Sequence, residues 1–353
     1  MSEKSIIFIA PGNSIHSYKW ISEIYKQTNF KIFWLSFHGS ADKIEGIEQF
    51  SFSKDFIGIL KCIRKIKSIK NSIIHVHSIG FHSYFFFLAK IFGVNNTTIS
   101  TPWGSDIIFG RNKFFKRFFL KFIIQNSKII TCDAVFVKEL VSDLKRDSNI
   151  NIINFGVDTK KFSFINRNFK KENINILSTR SLEKIYNIKS IIKSASIIKS
   201  KGINFKLSIY ADGPDRKDLE YLASSLNVSS DVIFHGRYSQ DNLVEILNNH
   251  DIYISMSHSD AGIASSTAEA MATGMICCVS DVAENNLWIE DFKSGFLIQD
   301  DDHIDLANKI EQICEHKFDL NKISKSARAK IERDNSIYGE MKKMVDLYLS
   351  AGK

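Results

Sequence analysis

The chain has 353 residues, of which 44% are hydrophobic and 24% are charged, and it contains three prolines. That length leaves room for two domains of roughly 150 residues, each with its own core, and the composition is that of an ordinary globular protein. The few prolines and the lack of a low-complexity tract exclude long disordered linkers. The net charge of +8 is unevenly spread, so basic stretches could meet nucleic acid, anionic lipid or only water.

Cysteine usage and the apolar runs predict a cytoplasmic protein. None of the five cysteines has CxxC spacing, and Cys277 and Cys278 stand inside an apolar run, so we expect reduced, buried thiols and no metal framework. The apolar run at residues 6–10 is too short for a signal peptide. Residues 84–94 are also too short to span a bilayer, and they contain Lys90.

Short apolar runs alternate with helical patterns through the first half of the chain. Strands are predicted at residues 6–9, 30–37, 73–76, 97–100 and 128–132, and helices at 18–25, 57–69, 114–125 and in an aromatic stretch that ends at 92. The first strand runs into Pro11 and Gly12, a glycine turn that lacks the GxGxxG spacing of a dinucleotide site. This alternation predicts an α/β fold with a doubly wound, mostly parallel sheet.

The same alternation restarts after residues 155–162. Strands are predicted at residues 173–178, 205–210, 232–234, 252–256 and 276–279, and helices at 186–200, 219–226, 242–247, 266–273, 304–316, 320–332 and 337–349. We therefore expect an N-terminal domain at 1–160, a C-terminal domain at 161–335, and a C-terminal helix within 336–353 that packs back toward the first domain.

Residues 251–290 predict a ligand site. They form a strand, a polar loop, a short helix, a second strand and a second polar loop, and Gly274 suits a left-handed turn at the end of the helix. Parallel strands place such loops at the carboxyl edge of the sheet, where open α/β folds bind ligands. A helix N-terminus there presents free N–H groups and a positive dipole end, which favours phosphate.

Five segments of the second half resemble the retaining glycosyltransferases of the GT-B fold, the group usually called family four, in their order and spacing. They are FGVDTKKF, STRSLEKIYNIKSII, YADGPDRKDLEYLA, VIFHGRYSQDNLVEIL and DAGIASSTAEAMATG. GNSIHSYKW, HVHSIG and STPWGSDII in the first half resemble the same group more loosely, so the resemblance covers nearly the whole chain. It implies a GT-B architecture, with two Rossmann-like doubly wound domains that face each other across a cleft.

The resemblance also implies the substrates. A nucleotide-diphosphate sugar would bind mainly to the second domain as the donor, and a glycan acceptor would bind to the first. Enzymes of this fold generally need no metal ion or other cofactor, because basic side chains and helix N-termini stabilise the leaving diphosphate. The chain fits this expectation, since its nearest acidic motif, the three aspartates at 300–302, is expected in a solvent loop before a helix.

Arg180 and Lys184 are the catalytic cations that the resemblance implies, because both would lie against the donor phosphates. Glu269 matches the last acid of the family's Glu-x7-Glu motif and would hold the ribose hydroxyls. An alternative remains open, since Ser266 and Glu269 have the spacing of a capping box in which Glu269 only caps its own helix.

The first acid of that motif should fall at position 261, which is Ala261, a departure from the family. Asp260 is the nearest acid and could reach the donor sugar. The donor set that the resemblance implies contains Gly12, Arg180, Lys184, Gly236, Arg237, Asp260, Gly262, Ile263, Ala264 and Glu269.

In the first domain the resemblance points to residues near the acceptor. Asp106 would lie close to the acceptor hydroxyl as a third catalytic residue, and His16 and His77 would contact the acceptor, although a lone histidine is also common in a structural role. Trp103 stands where many relatives carry a histidine. Because Trp cannot take up a proton, a proton-accepting role would fall to another residue. Stacking of Trp103 on a sugar ring is the alternative.

Residues 111–128, which begin at Arg111 and end at Lys128, interleave basic residues with five phenylalanines. The phenylalanines form one broad helical face, for which ordinary core packing is one interpretation. The other is docking on an anionic membrane surface, which would suit an enzyme with a lipid-linked acceptor. No recognition motif accompanies the charge, so nucleic acid is not an expected partner.

The sequence therefore predicts a retaining hexosyltransferase that moves a sugar from a nucleotide-diphosphate donor, a UDP-sugar, to a glycan acceptor. We expect the acceptor to be lipid-linked, in bacterial surface polysaccharide or lipopolysaccharide synthesis, with the enzyme at the inner face of the cell membrane. The alternatives are a catalytically silent GT-B scaffold in a membrane glycan-assembly complex and a nucleotide-sugar epimerase or phosphorylase on the same fold.

Overall fold

The structure is a computed structural model that describes residues 4–37, 39, 43–110, 113–144, 149–169, 172–260 and 262–351. It divides into two compact units. Unit 1 comprises Met1–Gly156 and Ile337–Lys353, and unit 2 comprises Val157–Ser336. The sequence analysis placed the boundary at residue 160 and treated residues 336–353 as a third part, whereas here the C-terminal helix belongs to unit 1.

Unit 1 holds a seven-stranded parallel sheet within the described residues. Its strands are β1 (Ser5–Ile9), β2 (Lys31–Ser36), β3 (Glu48–Ser51), β4 (Ser72–His77), β5 (Thr98–Thr101), β6 (Ile129–Cys132) and β7 (Ile150–Ile152). They lie in the order β3-β2-β1-β4-β5-β6-β7. The chain therefore adds β2 and β3 on one side of β1, and then β4 to β7 on the other side of β1. This makes the gap between the ends of β1 and β4 the switch point of the sheet, where open α/β folds bind ligands.

The helices of unit 1 are α1 (Ile15–Gln27), α2 (Phe56–Ser68), α3 (Gly80–Ile91), α4 (Ser105–Gly110), α5 (Phe114–Asn126), α6 (Val135–Ser142) and, from the C-terminus, α14 (Ile337–Ala351). The last helix joins unit 1 because its apolar face is part of that core. Met341, Met344 and Tyr348 are fully buried there against residues of β1 and α1. The buried Glu340 carboxylate also accepts a hydrogen bond from the backbone N–H of Asn154 at 2.7 Å.

Unit 2 repeats the same strand order in the described part of the chain. Its strands are β8 (Ile174–Ser178), β9 (Phe205–Ile209), β10 (Val232–Phe234), β11 (Ile252–Ser255), β12 (Ile276–Ser280) and β13 (Phe296–Ile298). The parallel sheet runs β10-β9-β8-β11-β12-β13, so its switch point lies between the ends of β8 and β11. Both sheets therefore have the strand arrangement of a Rossmann fold.

A 3-10 turn (Lys184–Tyr186) precedes the helices of unit 2, which are α7 (Ile188–Ser200), α8 (Arg216–Ser225), α9 (Leu243–Asn248), α10 (Ser265–Ala272), α11 (Asn285–Trp288), α12 (His303–Cys314) and α13 (Leu320–Asp334). Asn187 ends the turn in a left-handed conformation and caps α7, which is why that helix begins two residues later than predicted. No helix in the described ranges is both long and apolar enough to cross a bilayer.

The sequence analysis missed several short elements, mainly at the sheet edges. β3 has the polar sequence EQFS, and β7 and β13 have only three residues each, so none shows a clear strand period. Pairing with a buried neighbour supplies the stability that these local sequences lack. Four of the five cysteines are buried as expected, and Cys314 is half-buried.

Candidate active site

Two charged side chains meet at the switch point of unit 2. Arg180 follows β8 and Asp260 follows β11, and these two strands are neighbours in the sheet. The Arg180 Nη2 atom lies 2.5 Å from Asp260 Oδ1, with the two side chains only 12% and 10% exposed. The structure thus brings together two residues of the predicted donor set.

Arg180 retains capacity to bind a further group. Its guanidinium lies over the ring of Tyr186, 4.4 Å from the ring centroid, which fixes the plane of the fork. The Nε atom is buried and has no hydrogen-bond partner among the described residues. A buried unpartnered donor is costly, so this atom is suited to an anionic oxygen of a ligand.

Asp260 sets the position of Arg180. Burial raises the pKa of the Asp260 carboxyl, and the positive charge of Arg180 opposes that rise. A carboxylate that stays paired in this way holds the guanidinium at the edge of the sheet. Ala261, where the family motif has its first acid, lies outside the described residues.

Hydroxyl groups surround the pair. The buried Tyr253 of β11 donates to the Ser266 Oγ atom at 2.7 Å and lies 3.4 Å from Thr179 Oγ1. Burial raises the pKa of the Tyr253 hydroxyl to about 12, so it stays protonated. Glu269 of α10 is 7% exposed, and its charge helps to raise the pKa of the nearby Tyr238, for which burial is the larger cause.

The capping-box alternative for Glu269 is wrong. α10 begins at Ser265 with Ala264 at the N-cap, and no side chain of the described residues caps it. Ser266 is therefore inside the helix, and its hydroxyl serves Tyr253 instead. Glu269 lies in the second turn, too far along to satisfy the first N–H groups of its own helix.

Five further residues of the predicted donor set lie on two loops of unit 2. Gly262, Ile263 and Ala264 are half-buried and lead directly into the N-terminus of α10. Gly236 follows β10 with a φ of +80°, a left-handed conformation that favours glycine, and Arg237 beside it is exposed.

Lys184 is placed differently from Arg180. It is exposed on the 3-10 turn and lines a cavity of about 530 Å³ together with His258, Asp301 and residues of α8. Neither Arg180 nor Asp260 is among the described residues that line this cavity.

The aspartates at 300–302 have structural partners. Asp301 accepts hydrogen bonds from Ser190 Oγ at 2.9 Å and from Asn187 Nδ2 at 3.0 Å, and Asp302 caps α12. Within the described ranges, no group of three or more His, Cys, Asp or Glu residues could hold a metal ion.

In unit 1 the three predicted acceptor residues also come together. The ring centroid of His16 is 5.8 Å from that of Trp103, and His77 is 5.1 Å from Trp103. Two further rings complete this aromatic cluster. The centroid of Trp20 lies 4.5 Å from that of His77, and the centroid of Phe155 lies 4.6 Å from that of His16. His77 ends β4 and His16 follows β1, so the aromatic cluster lies at the switch point of the sheet.

Two side chains of the aromatic cluster have unpartnered nitrogens. Both ring nitrogens of His77 and the Nε1 atom of Trp103 are buried without a hydrogen-bond partner in the described part of the chain. Burial holds the pKa of His77 well below its ordinary value and also lowers that of His16, so both rings are neutral at physiological pH. Because His77 is fully buried, only His16 and Trp103 of the three predicted acceptor residues are partly exposed.

Asp106 has a structural role that the sequence did not reveal. Its Oδ2 atom accepts from the backbone N–H of Ile79 at 2.8 Å and of Trp103 at 3.2 Å, which ties the loop after β4 to the loop after β5. Burial raises the pKa of this carboxyl, against the effect of those donors. Gly12 is similarly engaged, because its N–H donates to Ser36 Oγ at 2.8 Å.

The basic aromatic stretch forms α5, although Arg111 lies outside the described residues. Leu120, Ile123 and Ile124 face the core, and Phe119 and Phe122 are half-buried, so the core-packing interpretation holds for part of the helix. Phe114, Phe115 and Phe118 are 83%, 77% and 52% exposed. We call these three, with the exposed Lys113, Lys116, Arg117 and Lys121, the α5 surface.

Tyr186 and Tyr253 lie beside the predicted donor residues, and the sequence did not single them out. Tyr186 contacts Arg180 because the chain makes a 3-10 turn before α7, and Tyr253 lies in a run whose composition predicts a buried strand. No motif marked either residue. A tyrosine inside an otherwise aliphatic strand was the one available signal for Tyr253.

Two α/β units with Rossmann-type strand order define the class of two-domain, doubly wound proteins. The family model described as glycosyl transferases group 1 matches residues 158–330, and that described as glycosyl transferase 4-like matches residues 5–134. The chain therefore belongs to the group 1 glycosyltransferases and is a transferase with the GT-B fold, which confirms the predicted family and fold class.

Individual proteins show the same likeness. An Escherichia coli UDP-Gal:α-D-GlcNAc-diphosphoundecaprenol α-1,3-galactosyltransferase is 26% identical over 319 residues, which is 85% of this chain and 80% of that protein. A Staphylococcus aureus capsular polysaccharide biosynthesis glycosyltransferase is 23% identical over 268 residues, covering 68% of this chain and 69% of the relative. The structure of Anabaena HepE in complex with UDP superposes with a TM-score of 0.80 over 98% of this chain and 100% of that chain, at 12% identity.

Proposed function

We propose that this enzyme is a retaining hexosyltransferase that transfers a sugar from a UDP-sugar to a lipid-linked glycan in bacterial surface polysaccharide synthesis. The names of the two relatives support this proposal, since one uses UDP-Gal with a diphosphoundecaprenol-linked acceptor and the other acts in capsular polysaccharide biosynthesis. The Anabaena structure with bound UDP supports a uridine nucleotide.

The observation that carries the donor assignment is the Arg180–Asp260 pair at the switch point of unit 2. A fixed, partly buried guanidinium with an unpartnered Nε atom is pre-organised for a phosphate oxygen. The first N–H groups of α10 have no intrahelical partner and add positive potential beside it. The Glu269 carboxylate then accepts hydrogen bonds from the ribose hydroxyls.

The proposed reaction needs no protein nucleophile. The bond between the anomeric carbon and the phosphate oxygen breaks, and the acceptor oxygen bonds to the same face of the sugar. The acceptor proton passes to the leaving phosphate. Arg180 lowers the barrier by stabilising the charge that develops on the diphosphate, so the reaction proceeds without a divalent cation.

We assign the acceptor glycan to the aromatic cluster of unit 1. Trp103 and His16 are half-buried, so Trp103 would stack on a sugar ring with the neutral His16 beside it. His77 is fully buried and supports the Trp103 ring from within. Asp106 acts on the acceptor through Trp103, whose backbone N–H it binds. It is therefore a positioning residue in this proposal.

The α5 surface would hold the enzyme at the inner face of the cell membrane. Exposed phenylalanines enter the interface between headgroups and acyl chains, and lysines beside them attract anionic lipid, by about 1 kcal/mol per cation near the surface. The α5 sequence contains no acidic residue that would offset this attraction.

The test is a transfer assay with membranes from the host and a panel of labelled UDP- and GDP-sugars. We expect one UDP-hexose to label the lipid fraction, and nuclear magnetic resonance of the released glycan to show the anomeric configuration of the donor. Membranes stripped of lipid serve as the control and should stay unlabelled. A product of inverted configuration, or label from GDP-sugars alone, would overturn the proposal.

A further inference from the structure

A cavity of about 520 Å³ lies in unit 1 between α3, α4 and α5. Its walls include Phe81 and Tyr84 of α3 and Phe119 and Leu120 of α5, with Lys116 one helical turn before Leu120. That volume falls within the range of about 300–1,000 Å³ that is typical of ligand sites, and the lining is predominantly apolar.

Aromatic side chains of α3 and α5 pack on one another beside the cavity. The rings of Phe118 and Phe119 meet edge to face, with their centroids 5.3 Å apart. Both rings pack on Phe87 of α3, at centroid distances of 5.6 Å and 5.3 Å. Phe119 also contacts Tyr84 at 5.3 Å. The exposed Phe118 is therefore in contact with the apolar wall that Phe119 and Tyr84 provide to the cavity.

Lys116 supplies a cation at the cavity wall. It is exposed, and no acidic side chain of the described residues lies within 4 Å of its ammonium group. Asp106 also lines the cavity, but its carboxylate is engaged by the N–H groups of Ile79 and Trp103. Positive charge beside an apolar chamber is complementary to a lipid with an anionic phosphate head.

The segment from Trp103 to Asp106 joins this cavity to the aromatic cluster. The Asp106 side chain lines the cavity and accepts a hydrogen bond from the backbone N–H of Trp103. The Trp103 ring in turn contacts His16 and His77. The cavity therefore lies next to the cluster to which we assign the acceptor glycan. This connection favours the acceptor lipid over bulk phospholipid as the occupant.

We propose that the cavity between α3 and α5 binds the proximal part of the polyprenyl chain of the lipid-linked acceptor, with Lys116 bound to its diphosphate. This inference rests on the proposed function, because it specifies where the proposed acceptor is held. It adds a lipid site to unit 1 that is separate from the donor site of unit 2.

Calorimetric titration of the full chain with farnesyl diphosphate tests the proposal. Saturating UDP is present, so that the donor site is filled and cannot bind the probe's diphosphate. Phe119→Trp would fill the cavity and should weaken binding by about tenfold or more, because the chain must compete with the indole. Lys116→Gln should lower the affinity for farnesyl diphosphate by about tenfold, because one charge-assisted hydrogen bond is lost. It should leave the affinity for farnesol, which has no diphosphate, unchanged.

The control is Phe56→Trp, a matched change at an exposed phenylalanine on α2 that packs near Phe92. It should bind farnesyl diphosphate as the wild type does. Wild-type affinity in Phe119→Trp, or equal weakening in Phe56→Trp, would overturn the proposal. The proposal would also fail if Phe119→Trp and Lys116→Gln lost binding to phosphatidylglycerol vesicles but kept full affinity for farnesyl diphosphate. The α5 surface would then bind the bulk membrane.

The two proposals can fail separately. If UDP does not bind the wild type, the proposed function fails, and a titration with farnesol, which carries no diphosphate, still reports on the cavity. If UDP binds and transfer occurs while neither variant affects the probe, the acceptor lipid lies elsewhere.

Discussion

Glu269 is a buried carboxylate whose position in α10 excludes a capping role. We expect Glu269→Gln to weaken UDP binding by about tenfold, because an amide oxygen accepts hydrogen bonds from vicinal hydroxyls less strongly than a carboxylate does. Titration calorimetry with UDP and with uracil would measure the change, and only UDP, which carries the ribose, should be affected.

Glu245→Gln is the control, since Glu245 is exposed on α9 in the same unit. It should bind UDP with wild-type affinity. Unchanged affinity in Glu269→Gln as well would remove Glu269 from the donor site.

The sequence could indicate Arg180 and Asp260 singly but not as a pair. Each follows a buried strand and belongs to a segment that resembles the family. Their contact depends on β8 lying beside β11, although the residues are 80 positions apart in the chain. Strand order is a property of the whole sheet, so local spacing does not reveal it. The same limit explains why the hydrogen bonds of Asp106 were not foreseen.

At the scale of elements, α14 is attached to the sheet of unit 1 by a buried polar chain. The Tyr348 hydroxyl contacts His75 Nδ1, His75 Nε2 lies 2.6 Å from Thr101 Oγ1, and that oxygen lies 2.5 Å from Thr131 Oγ1. Burial lowers the pKa of His75 to about 3, so the ring is neutral and both nitrogens need partners.

We predict that Tyr348→Phe destabilises unit 1 by about 1–3 kcal/mol, because it leaves a buried nitrogen of His75 without a partner. Urea unfolding followed by tryptophan fluorescence would measure this, since three of the four tryptophans lie in unit 1. Leu349→Ala, at an exposed position of the same helix, should change the stability by less than about 0.5 kcal/mol. Equal stability of Tyr348→Phe and wild type would contradict the role of this chain.

The pattern of α5 shows what periodicity can and cannot decide. A helix with five phenylalanines has more apolar positions than one core face can cover, so the sequence allowed both core packing and membrane docking. The structure buries Leu120, Ile123 and Ile124 and leaves Phe114, Phe115 and Phe118 exposed. Which apolar residues face inward depends on the packing of α5 against α3, which the local sequence does not specify.

At the scale of the molecule, two units with the same strand order carry different chemistry at their switch points. Unit 1 presents neutral aromatic and imidazole rings, whereas unit 2 presents an arginine paired with an acid. The alternation of strands and helices was enough to predict both sheets, because a doubly wound fold follows from that pattern. Predicting which side chains meet at each switch point required the family resemblance, and then the strand order of the sheet.

The central claim is that Arg180 at the switch point of unit 2 binds the donor diphosphate. Calorimetric titration with UDP tests it most directly, with melting curves to check that each variant is folded. Arg180→Ala should lose about ten- to hundredfold in affinity, as expected for a charge-assisted contact. Lys206→Ala removes a charge from the start of β9, at the opposite edge of the same sheet, and should bind UDP as the wild type does. A folded Arg180→Ala variant with wild-type affinity for UDP would contradict the account.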